Sequence, residues 1–199
     1  MRSFVIRTTT TRLGVLLSGL LLAGCGTGED HNDADVEFAT DMIGHHAQAI
    51  EMANYTIGRD GLDPRITELA EDIRVSQTEE IDAMSAWLEE WEEPVPETGF
   101  ATGDGHSHSE GGHDDGGDGT TGMPGMMGEA EMERLAQAPD RVFEDLWLQM
   151  MIAHHEGAVE MAGRVLEQGE SEDVATLASD VRTAQAEEIE AMRGWRTAG

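Results

Sequence analysis

Lysine is missing from the 199-residue chain, cysteine occurs once, and aromatic residues make up 5%. Each shortage closes off a class of function. All 12 basic residues are arginine, set against 41 acids, and the formal net charge is −29. That balance argues against nucleic acid as a partner, because holding phosphate needs a surplus of cations. A single cysteine leaves no intramolecular disulfide and no cysteine-cluster zinc or iron–sulfur site. Long apolar runs are equally scarce. Only Leu13 to Ala23 qualifies, and its 11 residues fall short of a bilayer core of roughly 30 Å. Hydrophobic residues at 39% suffice for a small core, and the length fits one ordinary domain or two very small ones. What the chain has in abundance is methionine, with 12 residues, and glycine, with 24.

The short apolar run has the form of an address. Arg2, Arg7 and Arg12 precede it, and Leu22-Ala23-Gly24-Cys25 closes it. A basic start, an apolar middle and a small-residue end are the proportions of a secretory signal peptide. The closing tetrapeptide resembles a bacterial lipobox, which makes Cys25 the lipidated first residue of the mature chain. An ordinary signal peptide with an incidental cysteine is the alternative. A diacylated cysteine supplies enough acyl chains for stable anchoring. Residues 1–24 are then the signal and 25–34 a flexible tether. The mature chain has 175 residues and a net charge of −32. It is expected to work outside the cytoplasmic membrane, held there by lipid alone.

The remainder is written twice. Phe38–Ala53 matches Trp147–Ala162 at 8 of 16 positions with an offset of 109, including Met42/Met151, His45/His154, His46/His155 and Met52/Met161. Leu69–Trp87 matches Leu177–Trp195 at 11 of 19 with an offset of 108, including Gln77/Gln185, Glu80/Glu188 and Met84/Met192. Two blocks in one order at nearly one offset mark a duplication. Each half reads as a helical hairpin. Asp33 or Asp35 is expected to cap a first helix ending near Ile57, with Gly58–Gly61 as the break. Asp63-Pro64 then places a cap and a first-turn proline before a helix of 65–92. Pro139-Asp140 and Ser171 open the two helices of the second half. Hairpins that cannot bury their apolar stripes alone pack into an all-α four-helix bundle, here from repeats 35–92 and 129–199. Residues 93–128 carry 11 glycines and no hydrophobic period, so they read as a disordered linker.

At 100° per residue, Phe38, Met42, His45, Ala49 and Met52 fall in an arc of about 80°, with His46 on its flank. Trp147, Met151, His154, Ala158 and Met161 repeat the stripe. Gln77 and Glu80 point into the apolar arc of the second helix, as do Gln185 and Glu188. A buried carboxylate without a partner costs several kcal/mol. Finding one twice, at matching positions, calls for a physical reason. One candidate is a purely structural polar layer in which Glu80 and Glu188 accept hydrogen bonds from His45 and His154. The other is a metal site, with the glutamates orienting the imidazoles or binding directly.

The donor types select the metal. Carboxylate-bridged di-iron bundles use Glu-x-x-His, whereas here the pattern is Met42-x-x-His45 and Met151-x-x-His154. Thioether is soft, and beside imidazole it favours copper, above all Cu(I). The expected ligand set is Met42, His45, His46, Met52, Glu80 and Met84, repeated as Met151, His154, His155, Met161, Glu188 and Met192. Gln77 and Gln185 are expected as supporting residues. His106, His108, His113, Met123, Met126 and Met127 give the linker an accessory His/Met tract, unless it is only a solvated spacer.

The double pattern Met-Ile-x-His-His-x-x-Ala-x-x-Met-Ala, followed by Gln-x-x-Glu-Ile-x-x-Met-x-x-Trp, resembles the bacterial family called Domain of Unknown Function 305. Met42–Ala53 with Gln77–Trp87 carry it first, then Met151–Ala162 with Gln185–Trp195. The resemblance implies a ferritin-like fold. Through a secreted copper-binding member linked to copper resistance, it also implies extracytoplasmic binding of copper or silver. It singles out His45, His46, Met42, Met52, Glu80 and their second-half partners. The linker's His and Met residues lie outside the family pattern. The expectation is therefore a membrane-tethered copper binder that sequesters, buffers or hands on the ion to an unspecified partner. A ferritin-like metal-dependent oxidase and a metal-free scaffold lipoprotein are its rivals.

Overall fold

The computed structural model describes residues 30–98 and 123–198. The proposed signal segment, Cys25, His106, His108 and His113 lie outside them. The described residues form five helices: α1 (Asp33–Asn54), α2 (Pro64–Glu90), α3 (Glu129–Ala136), α4 (Asp140–Gln168) and α5 (Glu172–Ala198). No strand occurs among the described residues. No helix among them is long and apolar enough to cross a membrane.

The helix starts follow local chemistry, with one shift from expectation. Asn32, not Asp33 or Asp35, caps α1, its side chain accepting from the Ala34 and Asp35 amides. Asp35 returns the contact to the Asn32 N–H at 2.9 Å and completes a capping box. The helix also stops at Asn54, short of Ile57. Gly58 and Gly61 then take φ of +76° and +82°, a left-handed region that other residues enter only with strain. Asp63 caps α2 ahead of Pro64, as the sequence indicates. Ser171 Oγ accepts from the Val174 amide at the start of α5.

Packing places α1 against α2, α4 against α5, and α1 against α4. Two core clusters result. One joins Phe38 and Met42 of α1 to Ala158, Met161 and Val165 of α4, with Met84 and Leu88 of α2 and Val174 and Val181 of α5. The other joins Met52 and Ala53 to Trp147, Met151, Ile73 and Met192. The early part of α1 thus meets the late part of α4, and conversely. The two helices run antiparallel, related by a pseudo-twofold axis between the clusters. Burying a side chain of methionine size stabilises the fold by about 1.5–3 kcal/mol.

The second half differs from its sequence outline. Helix α3 was not expected, and its Met132 and Leu135 are buried in the Trp147 cluster. Residues 123–128, assigned to the linker, also pack on the bundle. Met127 is 8% exposed within the same cluster. Apolar side chains at Met127, Met132 and Leu135 have a place to go, so glycine content alone misjudged where the linker ends. Arg59 ties the α1–α2 turn to the α3–α4 junction, donating to the carbonyls of Ala136 (3.0 Å) and Ala138 (2.9 Å) and to Asp140 (2.7 Å). Its guanidinium lies 3.8 Å from the Phe143 ring centroid.

Candidate metal centre

At the pseudo-twofold axis α1 and α4 each present a histidine to the other. His45 and His154 are both 0% exposed, with ring centroids 3.8 Å apart and planes tilted by 35°. Burial pushes the His45 pKa down to about 3, and the neighbouring His46 adds to it. Burial, then His45 and His155, likewise holds His154 well below the ordinary imidazole range. Both rings are neutral at physiological pH, the form that binds metal.

One residue on, His46 and His155 are also fully buried. The stripe placed His46 on a flank, but α1 has neighbours on two sides. A turn of 100° from the face toward α4 brings His46 to the face toward α2. There its Nε2 meets Glu80 Oε2 at 2.5 Å, and His155 Nε2 meets Glu188 Oε2 at 2.7 Å on α5. The glutamates therefore serve His46 and His155, not His45 and His154 as the sequence suggested. Their side chains keep 20% and 23% exposure, which keeps both carboxylates in contact with water.

These partners fix the imidazole tautomers. A carboxylate only accepts, so Nε2 of His46 and of His155 carries the hydrogen. His45 Nε2 lies 3.1 Å from the Pro124 carbonyl, which also only accepts. In the neutral ring each of these Nδ1 atoms is then a bare lone pair. Each is buried without a protein partner, as are both ring nitrogens of His154 and the Oε1 atoms of Gln77 and Gln185. Five unpartnered ring nitrogens within one layer cost roughly 1–3 kcal/mol apiece. An N–H held by an oxygen while the opposite nitrogen points free is how metal-binding imidazoles are oriented.

The thioethers divide symmetrically about this layer. Met42, Met84 and Met161 lie in one cluster, and Met151, Met192 and Met52 in the other. Met161 is 6% exposed and the other five 0%. Each trio draws two residues from one hairpin and the third from the other. Among the described residues no three side chains of His, Cys, Asp and Glu converge as a metal cage would require. A site in this layer with three or more side-chain donors would have to draw on thioether sulfur or on the Gln77 and Gln185 oxygens beside imidazole.

Of the accessory tract, Met127 is buried while Met123 and Met126 are half-buried. The Pro124 carbonyl, Gln48 and Gly157, which shape the approach to His45, went unrecognised from sequence. In the sequence Gln48/Gly157 is just one of the eight mismatched pairs in that block of 16, so nothing sets it apart.

Known structures share this fold. A DUF305 fragment from Deinococcus radiodurans is 31% identical, covering 82% of this chain and 95% of that one, with a TM-score of 0.65. CopM in its Cu(II)-bound form is 28% identical, covering 82% and 96%, with a TM-score of 0.63. CopM in its Cu(I)-bound form is 25% identical over the same shares, with a TM-score of 0.61. Uncharacterized protein L153 of Acanthamoeba polyphaga mimivirus is 43% identical over 56 residues, 28% of this chain and 36% of that protein. The match thus spans well under half of that relative. The model of the family named Domain of unknown function (DUF305) matches residues 35–196, and this chain belongs to that family.

Proposed function

We propose that the protein binds soft monovalent metal ions, Cu(I) foremost and Ag(I) with it, within the buried His/Met layer. In this role it sequesters, buffers or hands on copper as cargo outside the cytoplasmic membrane. The observation that carries the reading is the set of four buried imidazoles whose Nδ1 atoms have no protein partner beside two trios of thioethers. Imidazole and thioether together favour Cu(I) over hard divalent ions. CopM, related by fold and at 25–28% identity, has been solved with Cu(I), Cu(II) and silver bound, which supports the same class of cargo here.

His45, His46, His154 and His155 supply nitrogen, and Met42, Met52, Met84, Met151, Met161 and Met192 supply sulfur. Glu80 and Glu188 orient His46 and His155. Residues 1–24 serve as the export signal and Cys25 as the lipid anchor. His106, His108 and His113 would then collect ions from the periplasm or exterior for delivery to the bundle.

Equilibrium dialysis of the purified protein against Cu(I), Ag(I), Cu(II) and Zn(II) tests the reading. Tight uptake of the two monovalent ions, reduced at least tenfold by His45→Ala with His154→Ala, is expected. Equal uptake in that variant, or preference for Zn(II), would refute it.

A further inference from the structure

The central histidine pair is closed over by a segment that belongs to neither repeat. Met123–Met127 passes between equivalent points of the two halves, because Gln48 of α1 and Gly157 of α4 align in the duplication. Gln48 grips the Met127 backbone at both groups, Nε2 donating to its carbonyl at 2.8 Å and Oε1 accepting from its N–H at 2.7 Å. Gly157 provides the seat on α4, where a Cβ would collide with the Pro124 carbonyl. Gly125 has φ +78°, and a Cβ there would approach the Ala153 and His154 carbonyl oxygens to 2.6 and 2.9 Å. Backbone thus lies directly on backbone. Between the two anchors the Pro124 carbonyl turns inward and accepts from His45 Nε2.

We propose that Met123–Met127 is a hinged strap that gates the His45–His154 pair to metal ions and, when seated, positions His45 to bind them. The proposal rests on the metal-binding reading of the same pair. With both rings wholly buried, an ion reaches them only if something moves. Helices α1 and α4 are locked along their length by packing on α2, α5 and each other. The strap is held by the Gln48 bonds, the glycine seat, the Pro124–His45 bond and the Met127 side chain, fewer contacts than fix either helix, so it is the cheapest element to displace. It also carries soft donors of its own, since Met123 and Met126 flank the Pro124–Gly125 turn and are half-buried. Once seated, the Pro124 carbonyl fixes the His45 hydrogen on Nε2 and leaves Nδ1 as the donor. No carbonyl of this segment meets a His154 ring nitrogen, which makes the pair asymmetric although the helices are duplicated.

Gln48→Ala removes the latch, and Gly157→Ala obstructs the seat. In the full chain, transfer of Cu(I) from a chromophoric chelator is followed by stopped flow. Hydrogen exchange at the Met127 amide is measured with and without Ag(I). Both variants should load and release Cu(I) at least tenfold faster than wild type, with unchanged helix content. The Met127 amide should exchange faster in Gln48→Ala, and Ag(I) should slow its exchange in wild type. If wild type takes up no Cu(I), the metal reading falls and the strap with it. If wild type binds Cu(I) while folded variants load at its rate, the gate alone is wrong. Should Gly157→Ala fail to fold, Gln48→Ala decides the matter by itself.

Discussion

Asp35 and Glu144 stand at the same place in the two halves, and each carboxylate reaches across to hold the turn of the opposite hairpin. Asp35 Oδ2 accepts from the Glu170 and Ser171 amides at 2.9 and 3.1 Å, just before α5. Glu144 Oε1 accepts from the Asp63 amide at 2.5 Å, just before α2. The duplication therefore carries a reciprocal clasp between hairpins as well as the histidine layer.

The two clasps differ in depth, and so should their removal. Asp35 is 0% exposed and also holds the Asn32 N–H, whereas Glu144 is half-buried with one bond. Asp35→Ala strands the buried Ser171 amide and two part-buried ones, and is expected to cost about 2–4 kcal/mol of folding stability. Glu144→Ala should cost about 1 kcal/mol or less. Urea denaturation of both variants checks the order. Equal losses would mean that the depth of the carboxylate does not matter.

Acid should destabilise the metal-free protein before its carboxylates titrate. His45 and His154 are neutral when folded because burial, reinforced by neighbouring histidines, depresses their pKa, to about 3 for His45. Unfolded, each titrates near 6.5. Below that value the unfolded chain binds the extra protons. Stability is therefore complete above pH 6.5 and is lost as pH falls toward the folded value. Between pH 7.5 and pH 5 the expected loss is about 2 kcal/mol per histidine. Urea melts at the two pH values measure it, and His45→Gln with His154→Gln should flatten the difference. A flat wild-type profile would contradict the burial of the pair.

The glutamates give a test of orientation separate from the ligands. Glu80→Ala should free the His46 ring and weaken Cu(I) binding by roughly 10–100-fold, as loss of such partners does. Glu188→Ala should do the same through His155. Glutamine at either position keeps an oxygen acceptor for the Nε2–H and should restore most of the loss. If Glu80→Gln were as damaging as Glu80→Ala, the carboxylate would be acting by charge or by direct ligation.

Much of this architecture is legible in the sequence. The repeat, the hairpins and the all-α bundle follow from hydrophobic period and internal alignment. The duplication also picks out the twelve bundle residues proposed as ligands, ten of which are buried while Glu80 and Glu188 are half-buried. Pairing was less legible. A helical wheel places His46 beside the core stripe but does not say that α2 covers that side, so Glu80 was matched with the wrong ring. Residues 123–127 escaped for a different reason. Their order comes from Gln48 and Gly157, far away in sequence, and not from any pattern of their own. Helix α3 is too short, at 8 residues, to show a period.

Gly44 is a position where one half can be improved from the other. It lies mid-helix in α1, a Cβ there would meet nothing within 4 Å, and the second half has Ala153. Glycine inside a helix costs about 0.5–1 kcal/mol relative to alanine. Gly44→Ala should stabilise the fold by that amount with metal affinity unchanged. A lower melting temperature would reveal a requirement for backbone freedom beside His45.

The methionines decide whether the layer is a soft-metal site or only a core. Met42 and Met151 are equivalent by repeat and 0% exposed, yet they sit in different clusters on either side of the histidines. Leucine nearly conserves their volume, so each replacement should cost less than about 1.5 kcal/mol in folding. Sulfur is the one donor removed. Met42→Leu with Met151→Leu should therefore weaken Cu(I) and Ag(I) at least tenfold while leaving Zn(II) affinity unchanged. Because a thioether does not titrate, the loss should be the same at pH 6 and pH 8, unlike a loss at histidine. Competition against a chromophoric Cu(I) chelator at both pH values measures it. Unchanged Cu(I) affinity in the double variant would reduce these thioethers to packing and remove the chemical ground for preferring copper.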